Sequence, residues 1–255
     1  SEGSFVIFRM VAQAAGKRIA FTPMRDHRVD VDAMIAASGP RTRMVMIDNP
    51  VNPTGSYVTR AEFERLLSRL PSDCIVVMDE AYFEFARASD YPDSSAYRRE
   101  RPRLVTLRTF SKVYGLAGIR VGYGLCDRDM VEYLDRVRPP FTVSSAGQAA
   151  ALAALEDAEH VRRSVELCRA GVDQLTRDLR ALGIPVPPSQ ANFVFADFGR
   201  PVGEVFEAML RDGVIIRPVA NYGFPNAARI SAGLPEHNVR CVRSLARVLG
   251  RSPRA

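Results

Sequence analysis

The chain has 255 residues, 47% of them hydrophobic and 25% charged, with a net charge of +6 and no tryptophan. That length suits one large domain or a large and a small one around a buried core, and the composition is that of a globular protein rather than a disordered one. No apolar run approaches the roughly 18 residues of a membrane span, and Ser1-Glu2-Gly3-Ser4-Phe5 lacks the basic and apolar regions of a signal peptide, so the chain reads as cytoplasmic. The arginines are interspersed with acids, as in Arg60-Ala61-Glu62-Phe63-Glu64-Arg65, which argues for solubility and against a nucleic-acid partner. Cys74, Cys126, Cys168 and Cys241 are widely spaced with no CxxC pair, and His27, His160 and His237 are scattered among polar residues. Neither set forms a metal site or a disulfide framework, and the histidines are read as surface residues.

In chain order, apolar residues at helical spacing over 5–15 stop at Gly16, and Arg18-Ile19-Ala20-Phe21 reads as a short strand. Asp30 caps a short helix over 30–37. Met44-Val45-Met46-Ile47 is a continuous apolar run of a buried strand, and Thr59 with Glu62 three residues on marks a capping box for a helix to Leu70. Strands follow over 74–78, 104–107 and 121–125, then a helix over 127–137. This alternation points to a mostly parallel sheet flanked by helices. The prolines Pro139 and Pro140 mark a boundary, so a large domain is expected over 1–140 and a smaller α+β domain over 141–255. The second holds helices over 145–155 and 158–182, strand 192–196, helix 202–211, strands 214–216 and 229–231, and helix 237–249.

Only two of the 35 basic residues are lysine, Lys17 and Lys112. Arginine cannot lose its proton in a protein, whereas lysine can and then attacks an aldehyde as an amine. Lys112 follows the strand Leu104-Val105-Thr106-Leu107 in the run Thr109-Phe110-Ser111-Lys112. Ligands in parallel sheets bind beyond the carboxyl ends of the strands, and two earlier strands also end in polar groups, 49–55 and 79–82. The set describes an imine-forming lysine surrounded by an acid, amides and hydroxyls.

These motifs carry a family resemblance. Asp48-Asn49-Pro50-Val51-Asn52-Pro53-Thr54-Gly55, Asp79-Glu80-Ala81-Tyr82, Thr109-Phe110-Ser111-Lys112 with Arg120, and Arg229-Ile230-Ser231-Ala232-Gly233 occur in the order and approximate spacing of fold-type I pyridoxal-phosphate-dependent aminotransferases. The chain resembles most the histidinol-phosphate aminotransferases and their aromatic relatives, from Gly3 to Leu249. The resemblance implies an α/β fold with a large cofactor-binding domain and a small C-terminal one, and pyridoxal 5'-phosphate as cofactor. Lys112 is implied as the catalytic lysine that carries the cofactor and shuttles a proton. Asp79 would pair with the ring nitrogen, Asn52 and Tyr82 would donate to the ring oxygen, and Thr109, Ser111 and Arg120 would anchor the cofactor phosphate. Phe5 matches an aromatic stacked on the ring, and it reads equally as a core residue of the first helix. Arg229 would grip the substrate's acidic group, and Arg217 would add a second arginine suited to a phosphate-bearing substrate.

The implied reaction is transamination of histidinol phosphate with 2-oxoglutarate, giving imidazole acetol phosphate and glutamate in histidine biosynthesis. Its small-molecule partners are thus an amino donor and a keto acceptor; a homodimer is also implied, with no membrane partner. Alternatives on the same scaffold are an aromatic amino acid aminotransferase, a phosphothreonine decarboxylase, or the effector-sensing domain of a transcription regulator. The family also carries an N-terminal segment with a glycine-containing phosphate loop that this chain is expected to lack, so the chain alone is expected to be weakly active or inactive.

Overall fold

Helix α1 (Ile7–Ala14) ends where Gly16 turns into the left-handed region at φ +62°. The structure, a computed structural model describing residues 1–252, has no strand over 18–21. Those residues have no neighbouring strand to satisfy their backbone groups. A hairpin forms just beyond them, from β1 (Met24–Arg25) and β2 (Arg28–Val29). Its central residues Asp26 and His27 lie at φ +50° and +62°, as a two-residue turn of this hand requires. Asp30 caps α2 (Val31–Ala37) by accepting from the Ala33 N–H at 3.0 Å.

The first sheet is built from β3 (Met44–Asp48), β4 (Ile75–Asp79), β5 (Leu104–Thr109) and β6 (Gly122–Leu125), in that spatial order. Helix α3 (Arg60–Arg69) connects β3 to β4. Its capping box is complete, with Thr59 Oγ1 accepting from the Glu62 N–H and the Glu62 carboxylate accepting from the Thr59 N–H, a cap worth about 1 kcal/mol. Phe63 and Leu66 on its inner face lock against Ile47, Val76 and Met78, all fully buried. Each such side chain contributes roughly 2 kcal/mol through burial. The pairs β3–β4 and β4–β5 are parallel, and β6 runs antiparallel to β5. No crossover helix lies between β5 and β6, so the chain must reverse there. Helix α4 (Arg128–Val137) follows behind its Asp127 cap and buries no residue. Val131, Tyr133, Leu134 and Val137 are exposed, and Phe141 beyond them is 98% exposed.

Two helices, α5 (Ser145–Glu156) and α6 (Ala158–Ala181), precede the second sheet of β7 (Phe193–Asp197), β8 (Arg217–Pro218) and β9 (Ala227–Ser231), ordered β7-β9-β8 and antiparallel throughout. α7 (Val202–Arg211) and α8 (Pro235–Leu249) cover it, around a core that includes Leu175, Leu179, Val194, Val205, Met209 and Leu245. The strand expected over 214–216 is displaced: Ile215 is 77% exposed, and pairing with β9 occurs only at Arg217 and Pro218. The last three residues of the expected second domain, 253–255, lie outside the described residues.

Helix α6 joins a smaller buried cluster to the core of the second sheet. Val161, Val165 and Cys168 pack on Tyr82, Phe85 and Val113, while Val172, Leu175 and Leu179 enter the core of the second sheet. Arg169 donates to the carbonyls of Phe85 and Ala86 at 3.1 and 2.7 Å, and Arg87 pairs with Asp173. No helix among the described residues is long and apolar enough to cross a membrane.

Candidate active site

Strands β3 and β4 end in register, Asp48 beside Asp79, and β5 ends one strand over at Thr109. Parallel alignment thus gathers three polar strand ends at one edge, the place where open parallel sheets bind ligands. The loop after β3 carries Asn52, and β9 of the second sheet brings Arg229 to meet it: Arg229 Nη1 donates to Asn52 Oδ1 at 2.6 Å. The guanidinium carbon of Arg229 also lies 5.0 Å from the Phe193 ring centre. Tyr82 is buried against Phe193 in an edge-to-face contact at 5.1 Å, and Lys112 Nζ lies 5.2 Å from the Tyr82 ring centre. Asn52, Asp79, Tyr82, Lys112 and Arg229 are therefore brought together although the sequence spreads them widely.

Burial and charge set the protonation of this group. Lys112 is an exposed residue, yet desolvation of its amine, then the nearby Arg229 and Arg120, hold its pKa below the ordinary lysine value, with Asp79 opposing. An amine that sheds its proton more readily is the form that can act as nucleophile or base. Burial raises Asp79, while the Ala81 N–H, donating to Oδ1 at 3.1 Å, and the Lys112 ammonium pull it down. Burial pushes the Tyr82 hydroxyl up to about 12, so it remains a hydrogen-bond donor near neutral pH. Asn52 spends its oxygen on Arg229, which leaves the amide nitrogen free to donate into the cleft.

At the end of β5 the Ser111 N–H bonds Thr109 Oγ1 at 3.0 Å, and Arg120 Nη1 reaches Ser111 Oγ at 3.4 Å and the Ala117 carbonyl at 2.7 Å. Arg120 adopts a left-handed conformation at φ +61°. A serine hydroxyl, a threonine hydroxyl and an exposed guanidinium fork form a donor set that matches an oxyanion such as phosphate.

Arg217 lies directly opposite Arg229 across the antiparallel pair of β8 and β9. Like charges in that relation repel unless an anion sits between them. A cavity of about 430 Å³ opens beside the two, lined also by Ile230, His237, Asn238 and Arg240. Phe5 precedes α1 rather than lying in it; its N–H donates to Asp48 Oδ2 at 3.2 Å, and Phe8 is the aromatic that α1 buries. No group of three or more histidine, cysteine or acidic side chains among the described residues is placed to hold a metal ion.

Two residues near the site escaped notice in the sequence. Tyr222, half-buried at the end of a short 3-10 turn, has its hydroxyl pKa raised by burial and drawn down by the Val6 N–H, Arg229 and Arg217. Asp48 stands in the sequence only as the first residue of the Asp48–Gly55 motif, with no role of its own. Its Oδ2 accepts from the Asn52 N–H at 2.7 Å as well as from Phe5, so one buried carboxyl ties both segments to the strand end. The matching endings Met46-Ile47-Asp48 and Val77-Met78-Asp79 were the available signal.

Burial, reinforced by Asp79, lifts Asp48 from the ordinary 3.8 to about 7 against the pull of the Asn52 N–H. The native state therefore holds the Asp48 proton more tightly than the unfolded chain does. Between those two values the native state carries more protons, so this group's contribution to stability falls as pH rises through that window and levels off above it. Chemical denaturation on either side of the window should show a steeper loss with rising pH in the wild type than in Asp48→Asn. Equal slopes would refute the assignment.

The comparisons with known proteins agree with this geometry. The family described as aminotransferase class I and II matches residues 2–244. A histidinol-phosphate aminotransferase of Anaeromyxobacter is 48% identical over 252 residues, covering 98% of this chain and 69% of the relative, and histidinol-phosphate aminotransferase 2 of Pseudomonas fluorescens is 45% identical over 252 residues, covering 99% and 68%. The crystal structure of the Sinorhizobium meliloti histidinol-phosphate aminotransferase in complex with pyridoxal-5'-phosphate aligns at a TM-score of 0.90 with 29% identity, over 97% of this chain and 69% of that one. The parallel strand ends, the single lysine among them and the arginine delivered from the second sheet therefore have one origin: the chain belongs to the class I and II aminotransferases.

Proposed function

We infer that this chain transfers the amino group of histidinol phosphate to 2-oxoglutarate, with pyridoxal 5'-phosphate as cofactor. One observation supports a phosphate-bearing substrate above an aromatic amino acid. Two arginines, Arg217 and Arg229, face each other across one strand pair beside the lysine cleft, a doubly cationic clamp suited to a phosphate group. The names of the relatives point the same way.

The residues present fit the cofactor by the chemistry of their donors. When bound, pyridoxal phosphate supplies a ring that draws electrons from the substrate Cα. Lys112 would carry it and move the proton at that carbon through Nζ. Asp79 would keep a proton on the ring nitrogen, while Asn52 Nδ2 and the Tyr82 hydroxyl would donate to the ring oxygen. Thr109, Ser111 and Arg120 would hold the cofactor phosphate, and Phe5 would cover one face of the ring.

The same proposal assigns residues 1–140 to cofactor binding and 141–255 to a smaller domain that supplies the substrate arginines. It includes a homodimer, which the exposed apolar face of α4 supports, a cytoplasmic setting, which the four free thiols suit, and no nucleic-acid or membrane partner. Adding histidinol phosphate to the chain loaded with pyridoxal phosphate should bleach its visible absorption band, and phenylalanine should not. Bleaching by phenylalanine alone would make it an aromatic aminotransferase, and carbon dioxide release from phosphothreonine would make it a decarboxylase.

A further inference from the structure

The turn that presents Lys112 closes on itself at Gly115, whose N–H donates to the Lys112 carbonyl at 3.0 Å and whose φ is +71°. Its central residues are Val113, buried at 2% exposure beside Tyr82 and Phe193, and Tyr114. In such a turn the orientation of the peptide between the central residues distinguishes one turn type from another, so a bond to its carbonyl fixes the backbone conformation of the turn. The Val113 carbonyl is the oxygen of that peptide. His160, 47 residues away near the start of α6, places Nε2 3.2 Å from it. A carbonyl can only accept, so Nε2 must carry the proton.

The imidazole is itself held. The backbone N–H of His160 bonds the Asp157 carboxylate at 2.9 Å, capping the start of α6, and the ring is held by Ser164 Oγ, one turn along α6 and 3.3 Å from Nε2, which accepts a share of the same ring N–H. A Cβ added at Gly115 would stand 3.8 Å from the same nitrogen, so the ring closes over the outer side of the turn. Further along α6, Arg169 binds the carbonyls of Phe85 and Ala86, just beyond Tyr82. One helix thus grips both the lysine turn and the tyrosine segment, and it continues into the core of the second sheet that carries Arg229.

We propose that His160 is a positioning residue for Lys112, fixing the orientation of the lysine's turn through the Val113 carbonyl and tying it to the helix that also supports Tyr82. Its catalytic consequence rests on the reading of Lys112 as the cofactor lysine; its geometry does not.

The scarcity of lysine makes the test direct. Reductive methylation with a ¹³C reagent labels Lys112, the exposed Lys17 and the chain's amino terminus, and Lys17 serves as an internal control. In His160→Leu and His160→Asn, which cannot reach the carbonyl with a donor, the pH midpoint of the Lys112 resonance should move by about half a unit, and pyridoxal phosphate capture should slow about fivefold, as loss of one hydrogen bond allows. His160→Gln, which can present a donor at similar reach, should restore both, and Lys17 should not move in any variant. An unchanged Lys112 midpoint in folded Leu or Asn variants overturns the proposal, as does a Gln variant no better than Leu. If neither Leu nor Asn folds, the residue is structural and the proposal falls. Should the chain take up no pyridoxal phosphate at all, the functional reading fails while the Lys112 midpoint still decides the role of His160.

Discussion

Lys112→Ala should remove the visible absorption of the pyridoxal-phosphate-loaded chain and lower whatever transaminase activity the chain has by up to about a thousandfold, to below detection, because nucleophile and proton carrier are lost together. Lys112→Arg should be equally inert. It keeps a positive charge beside Asp79 and Tyr82 but cannot shed a proton, so it separates the need for a cation from the need for an amine. Lys17→Ala, at an exposed position, should match the wild type in both measurements. A loaded band that survives in Lys112→Ala would place the reactive amine elsewhere and undo the assignment of the site.

The largest loss of stability is expected one residue from the cleft. Glu80 follows Asp79, has no exposed surface and accepts from Arg108 Nε and Nη2 at 3.1 and 2.9 Å. The Ser94 N–H donates to its other oxygen at 2.9 Å, Arg108 also reaches Asp93 at 2.8 Å, and its guanidinium lies 3.6 Å from the Phe83 ring centre. Arg108→Met leaves a carboxylate buried with its main partner gone, which should cost about 3–5 kcal/mol and lower the melting temperature by on the order of 10 °C. Burial already lifts the Glu80 pKa, with Ser94 and Arg108 holding it down. Without Arg108 the carboxyl should protonate more readily, so the loss should be smaller at pH 5 than at pH 8. Adding Glu80→Gln to the variant should recover much of the stability. A double variant as unstable as the single one would show that the cost came from lost packing of the arginine and not from the stranded charge.

Local chemistry was legible in the sequence. Thr59 and Glu62 form their capping box because both partners lie within one helical turn, and Asp30 caps its helix for the same reason. The buried strands showed as continuous apolar runs, and their polar ends located the cleft. What the sequence could not show was pairing at a distance. The run at 18–21 has strand composition but no partner, whereas β8 forms at Arg217 and Pro218 only because β9 lies beside them. The bond from Arg229 to Asn52 spans 177 residues, and no local pattern encodes it. His160 reads as a surface histidine because its partner is a backbone carbonyl on another segment, and His27, likewise read as surface, packs at a tilt against Phe195 with ring centres 4.9 Å apart. Asp48 was visible as a residue, but its protonation depends on desolvation, which only the packed sheet creates.

Helix α4 carries an apolar stripe through Val131, Leu134 and Val137 and fully buries none of it. Ten residues make a marginal helix in water when little packs against them. Its order is therefore a conditional property: whatever covers the stripe must also supply the free energy that keeps α4 wound. Association there would register as folding, with a drop in heat capacity larger than contact between two rigid surfaces would give.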